Sequence, residues 1–275
     1  MDIFELLKIV TVSVIEGVTE WLPVSSTGHM ILFDELVKFR FTDDFKSLFL
    51  VVIQLGAILA VVYLYFEKLN PFSSLKTRYE KHKTWTLWQK VLVASIPAAI
   101  LGFLLDDFID AKLMNAWVVA GALIVYGVLF IVIERIYKVK KIQPKTKDLG
   151  EISYLDALKV GGFQLLALIP GTSRSGSTIL GSRILGLSRE TAAEFSFFMG
   201  IPVIFGASFL KIVKFGFNFT LNEISYLIFA TTLTFWVSIF VIKFLMKFIK
   251  KHDFQAFGWY RIALGVIVLI FFLMK

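Results

Sequence analysis

Glu16 and Glu20 stand four residues apart in Val14-Ile15-Glu16-Gly17-Val18-Thr19-Glu20-Trp21, inside apolar sequence. On a helix they share one face. Two carboxylates so close repel unless a cation, an arginine or a shared proton comes between them. Oxygen ligands of this kind suit Mg2+ or Ca2+. The competing picture is a surface helix with two solvated acids. Apolar neighbours on both sides argue against it, because ionisable residues at membrane depth are costly and usually functional.

The run Pro23-Val24-Ser25-Ser26-Thr27-Gly28-His29 follows directly. Proline stops the preceding helix, and serine or threonine can cap the next. Ser25 and Thr27 therefore read equally as caps or as groups that hold an anion. Ser26 and His29, three apart, could approach across one turn, and a hydroxyl beside a base is the start of a nucleophile. The other histidines, His82 and His252, sit in charged loops.

A second polar run, Pro170-Gly171-Thr172-Ser173-Arg174-Ser175-Gly176-Ser177-Thr178, lies between apolar stretches. Glycines let backbone N–H groups approach an anion, and a helix N-terminus adds a favourable dipole. Arg174 contributes a planar fork suited to phosphate. Gly171, Thr172, Ser173, Ser175, Gly176 and Thr178 are the accompanying candidates for phosphate binding. Arg183 and Arg189 read instead as residues that snorkel to the interface.

The elements that must position these groups follow from composition. Of 275 residues, 57% are hydrophobic and only 18% charged, against roughly a quarter charged in soluble domains. Mean hydropathy is +0.77. Apolar blocks at 45–66, 86–105, 114–133, 222–242 and 256–274 each approach the ~20 residues of a membrane helix. They do not alternate with period two, which excludes a barrel. The N-terminus lacks the pattern of a cleavable signal and is expected to belong to the fold. Without cysteine there are no disulfides or thiolate ligands. The net charge of +8 resides in short loops, which points to anionic lipid headgroups rather than nucleic acid.

Ten helical segments are expected, at about 1–22, 26–38, 45–66, 86–105, 114–137, 152–169, 175–186, 191–213, 222–248 and 255–274. The chain reads as one integral membrane domain, 1–275, made of two repeats, about 1–140 and 150–275. Leu22-Pro23-Val24-Ser25-Ser26-Thr27-Gly28 aligns with Ile169-Pro170-Gly171-Thr172-Ser173-Arg174, with a one-residue slip afterwards, and Phe45, Gly56 and Ala57 match Phe195, Gly206 and Ala207. Segments 26–38 and 175–186 are too short to span, so each repeat is expected to hold one re-entrant helical hairpin and three transmembrane helices. Three is odd, so the second repeat must be inverted, which gives an all-α polytopic fold with a polar site where broken helices meet. Loops 67–85, 134–151 and 243–255 carry fifteen Lys and Arg, against eight on the opposite side, which also has Asp106, Asp107 and Asp110. The positive-inside rule places the basic loops in the cytoplasm and the mouth of the first hairpin outside.

The segments Glu16-Gly-Val-Thr-Glu20-Trp-Leu-Pro-Val-Ser-Ser26-Thr-Gly-His29 and Pro170-Gly-Thr-Ser-Arg174-Ser-Gly-Ser closely resemble the bacterial undecaprenyl-diphosphate phosphatase (UppP/BacA, bacitracin-resistance) family. The likeness runs over nearly the whole chain, including Gln54-Leu-Gly-Ala-Ile-Leu and Phe195-Ser-Phe, although Glu194 replaces an expected basic residue. The resemblance implies a hydrolase in the bacterial cell membrane that converts undecaprenyl diphosphate to undecaprenyl phosphate and phosphate. That recycles the carrier lipid of cell-wall synthesis and gives tolerance of bacitracin. It also implies that Glu16 and Glu20 form the acidic motif and hold a divalent cation, Mg2+ or Ca2+, with Ser26 and His29 as catalytic hydroxyl and histidine and Arg174 as phosphate ligand. Partners are the lipid substrate and the bilayer, not nucleic acid, and a homodimer stays open. Whether Ser26, His29 or water attacks phosphorus also stays open. The rival is a transporter, since inverted repeats and a midplane anion site suit one equally.

Overall fold

The computed structural model describes residues 3–37 and 39–275, apart from the side chains of Asp106, Asp107 and Asp110. Lys38 and those three acids, all part of the charge count, thus lie outside the described residues. The first half begins with α1 (Ile3–Thr19) and α2 (Ser26–Leu36). Then come α3 (Asp43–Val52) and α4 (Gln54–Leu64), the single turn α5 (Phe66–Leu69), α6 (Arg78–Phe108) and α7 (Ala116–Val139). The second half repeats the order with α8 (Tyr154–Gln164), α9 (Arg174–Ile184), α10 (Arg189–Phe215), α11 (Leu221–Ile249) and α12 (Gln255–Leu273).

Six stretches among the described residues are long and apolar enough to cross a membrane: 43–64, 78–105, 116–139, 189–215, 221–249 and 255–273. That is three per half, and the chain is an all-α, multi-pass membrane protein. The α2 and α9 arms have 11 residues each, about 16 Å of helix, roughly half of the hydrocarbon core.

The arms start alike. Ser25 (φ 73°) and Ser173 (φ 72°) are N-caps in the left-handed region, which is uncommon for residues other than glycine. Each hydroxyl accepts the N–H of a glycine three residues on, Gly28 or Gly176.

Contacts between halves fix their directions. Ser13 and Gly17 carbonyls accept from Thr234 and Ser238 hydroxyls, so α1 runs parallel to α11. Tyr154 bonds Gln89, and Gly161 lies against Ala94, so α8 runs parallel to α6. The first spans are antiparallel, with Lys211 on Ser47, Ser208 on Val51 and Glu194 on Lys68. The third spans are antiparallel too, Gly127 meeting Gly258 and Gly265 meeting Ala120. These pairings agree with an inverted second half. Small residues let the backbones approach where lipid supplies no hydrophobic drive. At Gly56, a Cβ would come 2.1 Å from the Thr231 carbonyl oxygen.

Two expectations are corrected, at Arg78 and Arg183. The helix expected from residue 86 begins at Arg78, because Thr77 and Glu80 cap it reciprocally. The segment expected at 45–66 spans 43–64 and has a local irregularity at Ile53, whose backbone stays helical. Arg183 does not snorkel: it is 4% exposed and pairs with the buried Glu134, as does Arg189.

Candidate active site at the hairpin tips

The tips of the two hairpins meet. Glu20 sits one residue beyond α1, in helical register with Glu16 through its N–H bond to the Glu16 carbonyl. Both acids are buried, 2% and 8% exposed. Arg174 is the first residue of α9. Its Nε and Nη2 donate to Glu20 Oε1 at 3.2 and 2.8 Å, and Nη1 donates to the Ser196 carbonyl at 2.7 Å. The guanidinium also lies over the Trp21 ring. Gly200 leaves the room it needs: a Cβ there would come 2.8 Å from Nη2. Removing one partner of such a buried pair costs about 3–5 kcal/mol.

Ser175 adds a second link across the tips, donating to the Glu20 carbonyl at 3.0 Å. Arg261 adds a third. It is fully buried and donates from Nη1 to the Pro23 carbonyl and from Nη2 to the Gly171 carbonyl, at 3.1 and 2.9 Å. Sequence reasoning passed over Arg261, although an arginine within the apolar 256–274 block is itself a signal. The other hydroxyls of the second break shape the tip. Ser173 caps α9, while Thr178 bonds the Arg174 carbonyl and Ser196 Oγ. Thr172 is fully buried. Gly171 has φ +91°, and a Cβ there would come 2.5 Å from the Val119 carbonyl oxygen.

A cavity of ≈ 830 Å3 runs from the ends of α2 and α12 and the starts of α3 and α7 to Glu16, Ser26, Thr27 and Gln54. Ser26 and Thr27 thus face it, while Ser25 is buried as the cap. Glu16 Oε1 has no hydrogen-bond partner, and its carboxyl faces that of Glu20.

The structure does not join Ser26 to His29. The His29 Nδ1 lies 2.7 Å from the Ser25 carbonyl, and Nε2 lies 2.7 Å from the Tyr260 hydroxyl. A carbonyl only accepts, so Nδ1 carries the proton. The ring lines a different, apolar groove of ≈ 470 Å3 with Val18, Phe244 and Phe257. The bond to Tyr260 of α12 holds it there.

The donor set at Glu16 and Glu20 is oxygen-only and includes a buried carboxylate oxygen without a partner, which fits a hard divalent cation completed by water or substrate oxygens. Among the described residues no three His, Asp or Glu side chains form a ready metal cluster.

The family model described as bacitracin resistance protein BacA matches residues 9–267. An undecaprenyl-diphosphatase of Enterococcus faecalis is 55% identical over 271 residues, which cover 98% of each chain. One of Desulfitobacterium hafniense is 53% identical over 99% of this chain and 98% of its own. Undecaprenyl-diphosphatase 1 of Clostridioides difficile is 54% identical over 98% and 97%.

Proposed function

The chain belongs to the bacitracin resistance protein BacA family, and from that premise we propose that it hydrolyses undecaprenyl diphosphate to undecaprenyl phosphate and phosphate. It thereby recycles the carrier lipid of cell-wall synthesis and supports bacitracin resistance. The observation that carries this reading is the Arg174–Glu20 pair, which joins the two hairpin tips, with the Glu16 carboxyl facing Glu20 and lining a cavity shared with Ser26 and Thr27.

The polyprenyl tail stays in lipid while the diphosphate enters the cavity. Arg174 and the N-terminus of α9 stabilise charge on the phosphates, the dominant demand of phosphoryl transfer. Ser26 Oγ attacks the terminal phosphorus, and its proton passes to the Glu16 carboxylate through the oxygen that the cation does not take, since both His29 nitrogens are occupied. The Ser26–phosphorus bond forms as the bridging P–O bond breaks, and undecaprenyl phosphate leaves. Water then attacks phosphoserine and releases phosphate. Glu16 and Glu20 would hold the divalent cation, Mg2+ or Ca2+, which when bound neutralises phosphate oxygens. The basic loops support a bacterial cell membrane location with the cavity opening on the extracytoplasmic side.

Purified protein in detergent, given undecaprenyl diphosphate and Mg2+, is expected to release phosphate, and folded Arg174→Ala is expected not to. No release from folded wild type, with or without metal, would favour a transporter instead.

A further inference from the structure

The cavity that reaches Glu16 and Ser26 opens beside Trp117 and Phe272, at one end of the paired α7 and α12. At the other end, beside Tyr137 and Ala256, lies a second cavity of ≈ 630 Å3. The two occupy corresponding places in the two halves. Each is lined by the end of a hairpin's outer arm, the start of that half's first and third spans, and the end of the opposite third span. Their charge is reversed. The first has Asp34, Glu35 and Asp43 against Lys46. The second has Lys138, Arg183, Arg189, Lys250 and Lys251, with His252, against Glu190 and Asp253.

The floor of the second cavity is built, not loose. Glu134, 1% exposed, takes Arg183 Nε on one oxygen at 2.9 Å and Arg189 Nη2 on the other at 2.6 Å. Arg183 is held further by the Leu187 carbonyl and the Tyr137 ring. One carboxylate between two guanidinium groups leaves net positive charge. At the rim, the Lys138, Lys250 and Lys251 ammonium groups have no hydrogen bond or ion pair among the described residues. Asp253, the nearest acid in sequence, is engaged by Gln255.

We propose that this cavity binds a phosphate-bearing anion, either an anionic phospholipid headgroup or inorganic phosphate. Both present several oxygens to a guanidinium fork and to ammonium groups, the pairing that gives the strongest hydrogen bonds. Basic pockets between membrane helices are where headgroups are held. The inference stands on this cavity and not on the hydrolase reading.

The test uses the full wild-type chain, with Arg174→Ala run in parallel so that any phosphate bound at the hairpin tips is counted separately. Thermal unfolding is titrated with inorganic phosphate. Native mass spectrometry counts lipid retained from micelles containing phosphatidylglycerol or, as the zwitterionic control, phosphatidylcholine. Lys138→Gln/Lys250→Gln/Lys251→Gln leaves the Glu134 floor intact and is expected to weaken binding about tenfold or more. Lys250→Gln alone gives a smaller loss and serves if the triple variant unfolds. Saturable binding of phosphatidylglycerol alone identifies a headgroup site, and saturable binding of phosphate identifies a free-anion site. Absence of saturable binding by both, or equal binding by the lysine variants, overturns the proposal.

Discussion

Arg174 on the second hairpin grips Glu20 beyond the first helix by two hydrogen bonds to one carboxylate oxygen. The link spans 154 residues of sequence and makes each hairpin the support of the other's charged group. Ser175 and Arg261 reinforce it through backbone carbonyls.

Arg174→Lys keeps the charge but loses the fork that serves Glu20 and the Ser196 carbonyl together. Phosphate release from undecaprenyl diphosphate is expected to fall about a hundredfold or more, the scale of losing a fixed charge-stabilising donor. A fall below tenfold would mean that charge alone suffices.

Glu16→Gln removes a carboxylate whose Oε1 has no partner to lose. Thermal stability should hold while kcat falls about 100-fold, the loss of a general base. Chelation of divalent cations should lower wild-type activity, and the variant should need more Mg2+ for half-maximal rate. An unchanged Mg2+ requirement would move the cation away from Glu16.

Tyr260→Phe deletes the only side-chain partner of His29 among the described residues. One neutral hydrogen bond is worth about 1 kcal/mol, so kcat/KM should fall about fivefold if His29 must be held in place. Full activity of the variant would separate this histidine's orientation from the chemistry.

Gly56→Ala puts a methyl group 2.1 Å from a backbone carbonyl oxygen of α11, so the backbone of one helix must shift. Thermal unfolding in detergent should report a loss of about 1–3 kcal/mol, the range for overpacking. Gly121→Ala, with nothing within 4 Å, is the matched control.

The sequence made the spans and the hairpins readable because hydropathy and proline breaks are local signals. Three spans in each half followed once the short segments 26–38 and 175–186 were read as hairpin arms. What it left unread depends on distant contacts. Ser26 and His29 looked like partners at a spacing of three, but the Ser25 carbonyl and Tyr260 claim the ring instead. Arg183 looked like an interfacial residue because its acid, Glu134, lies 49 residues away. The helix start at Arg78 is legible, since Thr77 and Glu80 have capping-box spacing, but its polar first turns resemble a loop. Arg261 was legible as an arginine inside an apolar span, but its partners, the Pro23 and Gly171 carbonyls, were not.

The matched caps at Ser25 and Ser173 carry a consequence for how this protein can change. The residue after the cap is Ser26 in one half and Arg174 in the other. One copy therefore brings acids and a hydroxyl to the meeting point, and the other brings the cation. A half paired with its own duplicate would set acid against acid, or arginine against arginine. The two halves thus present different groups from the same local backbone form. Exchanging one arm for the other would therefore keep the turn and lose the Glu20–Arg174 pair.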